Sequence, residues 1–208
     1  DDKGSLRLNV LFDLDGTLTD PREGIVACIK YALVALDQPV PPDSELVRFI
    51  GPPLRDAFAE LMRLESDCDT VEAAGRIYRE RFATIGLFEN AIYEDIPRAV
   101  ALLSERGARL FVATSKPTVF AERIVQHFNI AKYFDCVYGS ELDGRLSDKG
   151  ELIAHALSSS SLLPADTIMI GDRRHDVLGA LKNHVLPIGV LWGYGSKQEL
   201  VTANKEKL

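Results

Sequence analysis

Two acids one residue apart, Asp13 and Asp15, follow directly on the apolar run 8–12 and precede Gly16 and Thr17. A carboxylate at the mouth of a buried strand is costly unless something cationic meets it there. In an extended chain the side chains of residues i and i+2 point the same way, so both acids can serve one site. Carboxylates that close either share a proton or hold a metal ion. An ordinary Asp-Gly turn is the alternative, but a turn asks for one acid, without a second on the same face and a hydroxyl beside it.

Three further stretches carry candidate groups. The segment 112–117, Val-Ala-Thr-Ser-Lys-Pro, ends an apolar run in hydroxyls. Thr114 and Ser115 there can donate to phosphate oxygens beside a helix N-terminus, or simply cap that helix. Lys149, in Ser-Asp-Lys-Gly, is a candidate fixed cation, with Lys116 as its competitor; Lys149 is favoured, although an isolated lysine is usually a solvated surface residue. The run 167–170 leads straight into Gly171-Asp172, with Asp176 four residues on. If a helix starts after Asp172, both acids face one place. Favourable placement at a helix start is the alternative, and it accounts for Asp176 better than for Asp172. His175 between them reads as a surface residue or one behind the ligands, not as a catalytic group.

These groups need strands to carry them. Residues 8–12 predict a strand buried on both faces. Helical spacing of apolar residues then runs from Pro21 to about Leu36, over 44–50, 54–63 and 70–85. Gly51-Pro52-Pro53 interrupts it where no helix can continue. Strands resume only beyond Ile92, at 109–113, 136–138, 167–170 and 186–191, alternating with helices at 95–106, 117–127, 148–157, 175–183 and 197–202. Alternation of this kind implies an α/β fold with a parallel sheet covered on both faces and its site at the carboxyl ends of the strands. The expected division is an α/β core of residues 6–19 and 89–208 with an all-helical insertion at 20–88. Residues 1–5 read as a tag or protease-site remnant.

The 208 residues, 46% hydrophobic and 26% charged, suit one domain with a modest insertion. No run approaches a membrane span of ~20 apolar residues. The net charge of −7 disfavours binding of nucleic-acid polymers. Three cysteines, Cys28, Cys68 and Cys136, at unrelated spacings argue for a reducing, cytoplasmic setting and against a disulfide frame or zinc site.

The four segments together resemble the motifs of the haloacid-dehalogenase-like phosphohydrolases, in order and across nearly the whole chain. FDLDGTLTD resembles the first motif, ATSKP the second, Lys149 the third and GDRRHD the fourth. The resemblance implies a Rossmann-like core with a helical cap inserted between the first and second motifs. It implies Asp13 as nucleophile, Asp15 as general acid/base, and Thr114, Ser115, Lys149 and Gly16 around the phosphate. It further implies Mg²⁺ held by Asp13, the backbone carbonyl of Asp15 and Asp172, with Asp176 acting through water. The chemistry agrees: a carboxylate nucleophile splits a hard phosphoryl transfer into two easier steps, and a protonated carboxyl supplies the leaving alkoxide with its proton.

Within the family, IGPPL, ATSKP and VLWGYG look most like the branch of phosphoglycolate phosphatases and 5′-nucleotidases. The expected substrate is therefore a small phosphate ester, and the expected assembly a monomer or homodimer. Arg48, Gly51 and Arg55 are candidate substrate contacts in the cap, against the reading of both arginines as solvated helix residues. Residues 192–195 line the site entrance or merely pack and turn. The chain ends at NKEKL, earlier than that branch leads one to expect, which leaves the last edge of the sheet open. A sugar-phosphate mutase of the same family and a non-catalytic binding or regulatory protein that keeps the fold are the alternatives.

Overall fold

A computed structural model describes residues 8–206; the expected remnant at 1–5 lies outside them. In chain order the elements are β1 (Asn9–Phe12), β2 (Thr19–Asp20), α1 (Arg22–Ala35), α2 (Asp43–Leu46), α3 (Leu54–Met62), α4 (Asp69–Arg81) and β3 (Ala91–Ile92). There follow α5 (Ile96–Glu105), β4 (Arg109–Pro117), α6 (Thr118–His127), β5 (Cys136–Ser140) and α7 (Lys149–Ser159). The chain closes with β6 (Thr167–Gly171), α8 (Arg174–Lys182), β7 (Leu186–Gly189) and α9 (Lys197–Lys205). The described residues divide into two compact units, 8–19 with 92–206, and Asp20–Ala91.

The first unit is α/β. Its five strands are ordered β5-β4-β1-β6-β7, all parallel. β1 is central and completely buried because it is apolar on both faces. Leu11, Phe111, Ala113 and Met169 turn to one face and pack on Leu152, Ile153 and Ala156 of α7 and Ala180 of α8. The alternate residues Val10, Leu110 and Val112 are buried on the other face. The crossover β4-α6-β5 runs toward one edge of the sheet and β5-α7-β6 toward the other. Right-handed connections of opposite direction place α6 and α7 on opposite faces. The reversal makes a crevice at the carboxyl ends of β4, β1 and β6, where ligands of open α/β sheets bind. β7 forms an edge, with Leu186 and Ile188 exposed.

β4 is longer than the apolar pattern predicts. It continues through Thr114, Ser115 and Lys116 to Pro117, with an irregularity in its pairing to β5 between Ala113 and Pro117. The hydroxyls therefore belong to the strand, and α6 begins at Thr118 without a side-chain cap.

The second unit is helical. α1 buries Ile25, Ile29 and Leu33 together with Cys28. The segment expected as one helix over 44–50 is a single α-turn, α2, followed by a 3-10 turn at Val47–Phe49. α4 passes into a π-helical turn at Phe82–Gly86. Gly24 and Gly86 let α1 and this turn meet closely: a β-carbon on Gly24 would lie 2.1 Å from the Gly86 carbonyl oxygen. Arg81 donates two hydrogen bonds to Glu89, at 2.7 and 2.9 Å, and a third to Cys28 Sγ at 3.1 Å. No helix among the described residues is long and apolar enough to cross a membrane.

Candidate active site

Two of the acids stand where their strands end. Asp13 follows β1, and its N–H still donates to the Ile170 carbonyl of β6. The chain then turns tightly: the Leu14 carbonyl accepts from the N–H groups of Leu18 and Thr19. Gly16 in this turn has φ +84°, which favours glycine. Asp172 follows β6, and Asp176 sits in the first turn of α8, where its Oδ2 accepts from the Arg173 N–H at 3.1 Å. Lys149 is the first residue of α7, a helix capped by Asp148 through the Glu151 N–H at 2.9 Å.

Oxygens of Asp13, Asp172 and Asp176 lie within 4.8 Å of one another, all on buried residues. Lys149 Nζ stands beside them, 3.0 Å from Asp13 Oδ1 and 2.8 Å from Asp176 Oδ1, and also donates to the Ala113 carbonyl. Asp15 has a different partner: Lys116 Nζ lies 2.8 Å from its Oδ2. The two lysines that compete in the sequence are thus both buried at the site, one for each of the paired acids. The spacing that places Asp13 and Asp15 on one face does not reveal this division.

Burial decides the protonation of these groups. It pushes Asp15 up, and the attraction of Lys116 offsets this only in part. It takes Asp172 to about 7, with the nearby Asp13 charge adding to the effect. Asp176 rises to about 6, again chiefly by burial, against the pull of Lys149. Burial alone would lower Lys149, but Asp13 and Asp176 outweigh it and hold the ammonium charged.

The donor set fits a divalent cation. With all four carboxylates ionised, the two lysines would leave two negative charges unmatched. Asp172 Oδ1, in the acid cluster, is buried without a hydrogen-bond partner, an expensive state that an ion relieves. An all-oxygen set suits Mg²⁺.

The remaining predicted residues are placed as follows. Thr114 is buried on β4, and its Oγ1 accepts from the Lys116 N–H at 3.3 Å. Ser115 turns its hydroxyl to the Ser147 carbonyl at 3.1 Å, so that group serves the loop before α7. His175 is pushed below the usual histidine range by burial and by Arg173 and Arg174. In the helical unit Gly51 has φ +102°. Arg48 pairs with Glu60 at 2.6 Å and Arg55 with Glu72 at 2.8 Å, all four well exposed.

The loop 192–195 is the part of the site least visible in the sequence. The Tyr194 N–H donates to Asp172 Oδ2 at 2.6 Å, and Trp192 Nε1 donates to the Thr17 carbonyl at 3.1 Å. A glycine on each side of Tyr194 was the available signal, since only glycine lets backbone come so close to a carboxylate.

A family model described as haloacid dehalogenase-like hydrolase matches residues 10–190. A protein of Pseudomonas aeruginosa named 5′-nucleotidase is 48% identical over 92% of this chain and 86% of its own length. The tyrosine-protein kinase PtkA of Mycobacterium tuberculosis is 38% identical over 89% of this chain, which spans 62% of that protein. A phosphoglycolate phosphatase of Salmonella choleraesuis is 27% identical over 89% of this chain and 81% of its own length. The crystal structure of a predicted phosphatase from Clostridium acetobutylicum superposes with a TM-score of 0.90 at 47% identity, covering 96% of this chain and 91% of that one. Strand order, buried acids and relatives agree: the chain belongs to the haloacid dehalogenase-like hydrolases and is a phosphatase of that family.

Proposed function

We propose that this phosphatase is a Mg²⁺-dependent phosphomonoesterase that works through an aspartyl phosphate on Asp13. Its substrate is a small phosphorylated metabolite, with 5′-nucleotides ahead of 2-phosphoglycolate. The observation that carries the mechanism is the separation of Asp13, beside Lys149 and the acid cluster, from Asp15, beside Lys116. That separation supports a reading in which one acid attacks and the other moves a proton. The preference for nucleotides rests on the 48% identity to the protein named 5′-nucleotidase.

Asp13, Asp172 and the Asp15 backbone carbonyl would hold Mg²⁺, with Asp176 behind them. When bound, the ion offsets charge on the phosphoryl oxygens. An Asp13 carboxylate oxygen attacks phosphorus in line and the ester P–O bond breaks. Asp15 gives its proton to the leaving oxygen, a role that its raised pKa supports. The Thr114 hydroxyl and the Lys149 ammonium donate to the transferred group. Water then attacks phosphorus and gives a proton to Asp15, the bond from Asp13 to phosphorus breaks, and inorganic phosphate leaves with the Asp13 carboxylate regenerated. Arg48 and Arg55 are the proposed contacts to the rest of the substrate, and Gly51 lets backbone approach it. Cys28, Cys68 and Cys136 are not joined in disulfides, which supports a cytoplasmic enzyme.

Phosphate release from 5′-nucleotides, 2-phosphoglycolate, sugar phosphates and phosphotyrosine, with Mg²⁺ and with chelator, tests this. The expected result is Mg²⁺-dependent hydrolysis led by one nucleotide class. Rearranged sugar phosphate without inorganic phosphate would instead identify a mutase, in which a sugar hydroxyl replaces water.

A further inference from the structure

Asp172 is held by one oxygen. Its Oδ2 accepts from the Tyr194 N–H at 2.6 Å, while its Oδ1 is buried without a partner. The backbone that makes this contact has no room to spare. A β-carbon on Gly193 would lie 2.3 Å from Asp172 Oδ2, and one on Gly195 1.8 Å from the Asp172 carbonyl oxygen. The loop is in turn tied down by Trp192. Its Nε1 donates at 3.1 Å to the carbonyl of Thr17, in the turn that follows Asp13 and Asp15. Its ring meets Tyr93 edge to face with centroids 6.4 Å apart. The side chain is otherwise open to solvent, 53% exposed, so packing does little to hold it.

We propose that Trp192 is a positioning residue for the metal site. Its indole N–H pins the loop 192–195 to the turn after β1, so that the Tyr194 N–H holds Asp172 Oδ2 and leaves Oδ1 as the donor. This rests on the reading of Asp172 as a Mg²⁺ ligand, and it assigns the loop a task which the acids alone do not imply. Coupling of this kind is reciprocal: a loop that improves metal binding is itself ordered by the metal. Trp192 is the single tryptophan of the chain, so its emission reports on that ordering directly.

The test is a Mg²⁺ titration of the full chain, wild type and Trp192→Phe, followed by calorimetry. Wild-type emission is recorded in parallel. Trp192→Phe keeps an aromatic ring and deletes the donor. The expected result is a saturable change in wild-type emission with the calorimetric midpoint. In the variant Mg²⁺ binds about tenfold more weakly, the range typical of groups that orient metal ligands, and its activity deficit closes as Mg²⁺ is raised. An unchanged Mg²⁺ midpoint in Trp192→Phe, with or without a lower melting temperature, overturns the proposal and leaves the metal site standing. Absence of Mg²⁺ binding by the wild type overturns the metal site itself, and the proposal with it. Should the variant not fold, wild-type emission that stays flat across the calorimetric transition overturns it equally.

Discussion

Lys149 and Lys116 are 5% and 6% exposed where they meet their aspartates, whereas Arg48 and Arg55 are 64% and 57% exposed where they meet their glutamates. The crevice of the α/β unit buries its ion pairs, while these two pairs of the helical unit lie open to solvent. Buried ion pairs cost desolvation energy that attraction rarely repays in full, so a fold retains four acids and two lysines in one crevice for their chemistry. Exposed pairs are screened and contribute little. The helical unit has one intermediate case, Arg81 with Glu89, at 17% and 26% exposure. Glu89 holds that guanidinium well above the usual arginine range.

Substitutions in the two units sharpen this contrast. Asp13→Asn should lower phosphate release by ~10³-fold or more, because the nucleophile is lost; wild-type-like turnover would remove the assignment. Lys149→Met leaves Asp13 and Asp176 unmatched, and chemical denaturation should show a loss of ~3 kcal/mol together with most of the activity. Arg81→Met strands Glu89 beside the π-helical turn and should cost ~2 kcal/mol after allowance for its partial exposure. Mg²⁺ binding measured by calorimetry should not change in that variant.

The acids of the crevice also set a pH dependence. Asp172 at about 7 and Asp176 at about 6 lie above the ~3.9 of an unfolded chain. Between those limits the folded, metal-free protein binds more protons than the unfolded one, so stability falls as pH rises through the window. Mg²⁺ competes with the same protons. It should therefore raise the melting temperature more at pH 8 than at pH 5, measured relative to chelator at each pH. An equal shift at both would separate the ion from these carboxylates. The smallest effects belong to the exposed pairs: Arg48→Ala and Arg55→Ala should change stability by less than ~1 kcal/mol. A raised KM for the preferred substrate in either one would mark that arginine as a substrate contact; unchanged KM in both would leave them as surface residues.

Much of this contrast is legible in the sequence, and what is not has a physical reason. Asp13 and Asp172 announce themselves because a charge at the end of a buried apolar run costs desolvation energy that packing alone never returns. The parallel sheet follows from strands alternating with helices. Lys116 and Lys149 could not be apportioned, because the choice depends on a pairing between segments a hundred residues apart in the chain. Ser115 is typed for phosphate yet donates to Ser147, a partner supplied by the loop before α7. The 44–50 helix shrinks to a turn because it has few residues before Gly51 and two prolines. The grip of residues 192–195 on Asp172 runs through backbone N–H groups, which side-chain types do not encode.

Pro187 has a quieter consequence. Strand residues alternate the direction of their N–H groups, and the bond from Val190 N–H to Gly171 shows which of them in β7 point inward. By that alternation Pro187 points outward, where it has no N–H to offer. A foreign strand approaching this edge would find a donor at Gly189 and none at Pro187. Leu186 and Ile188 supply the greasy surface that invites such stacking, while the missing donor discourages it. One imino acid, remote from any chemistry, thus takes a donor away from the apolar margin of the described sheet.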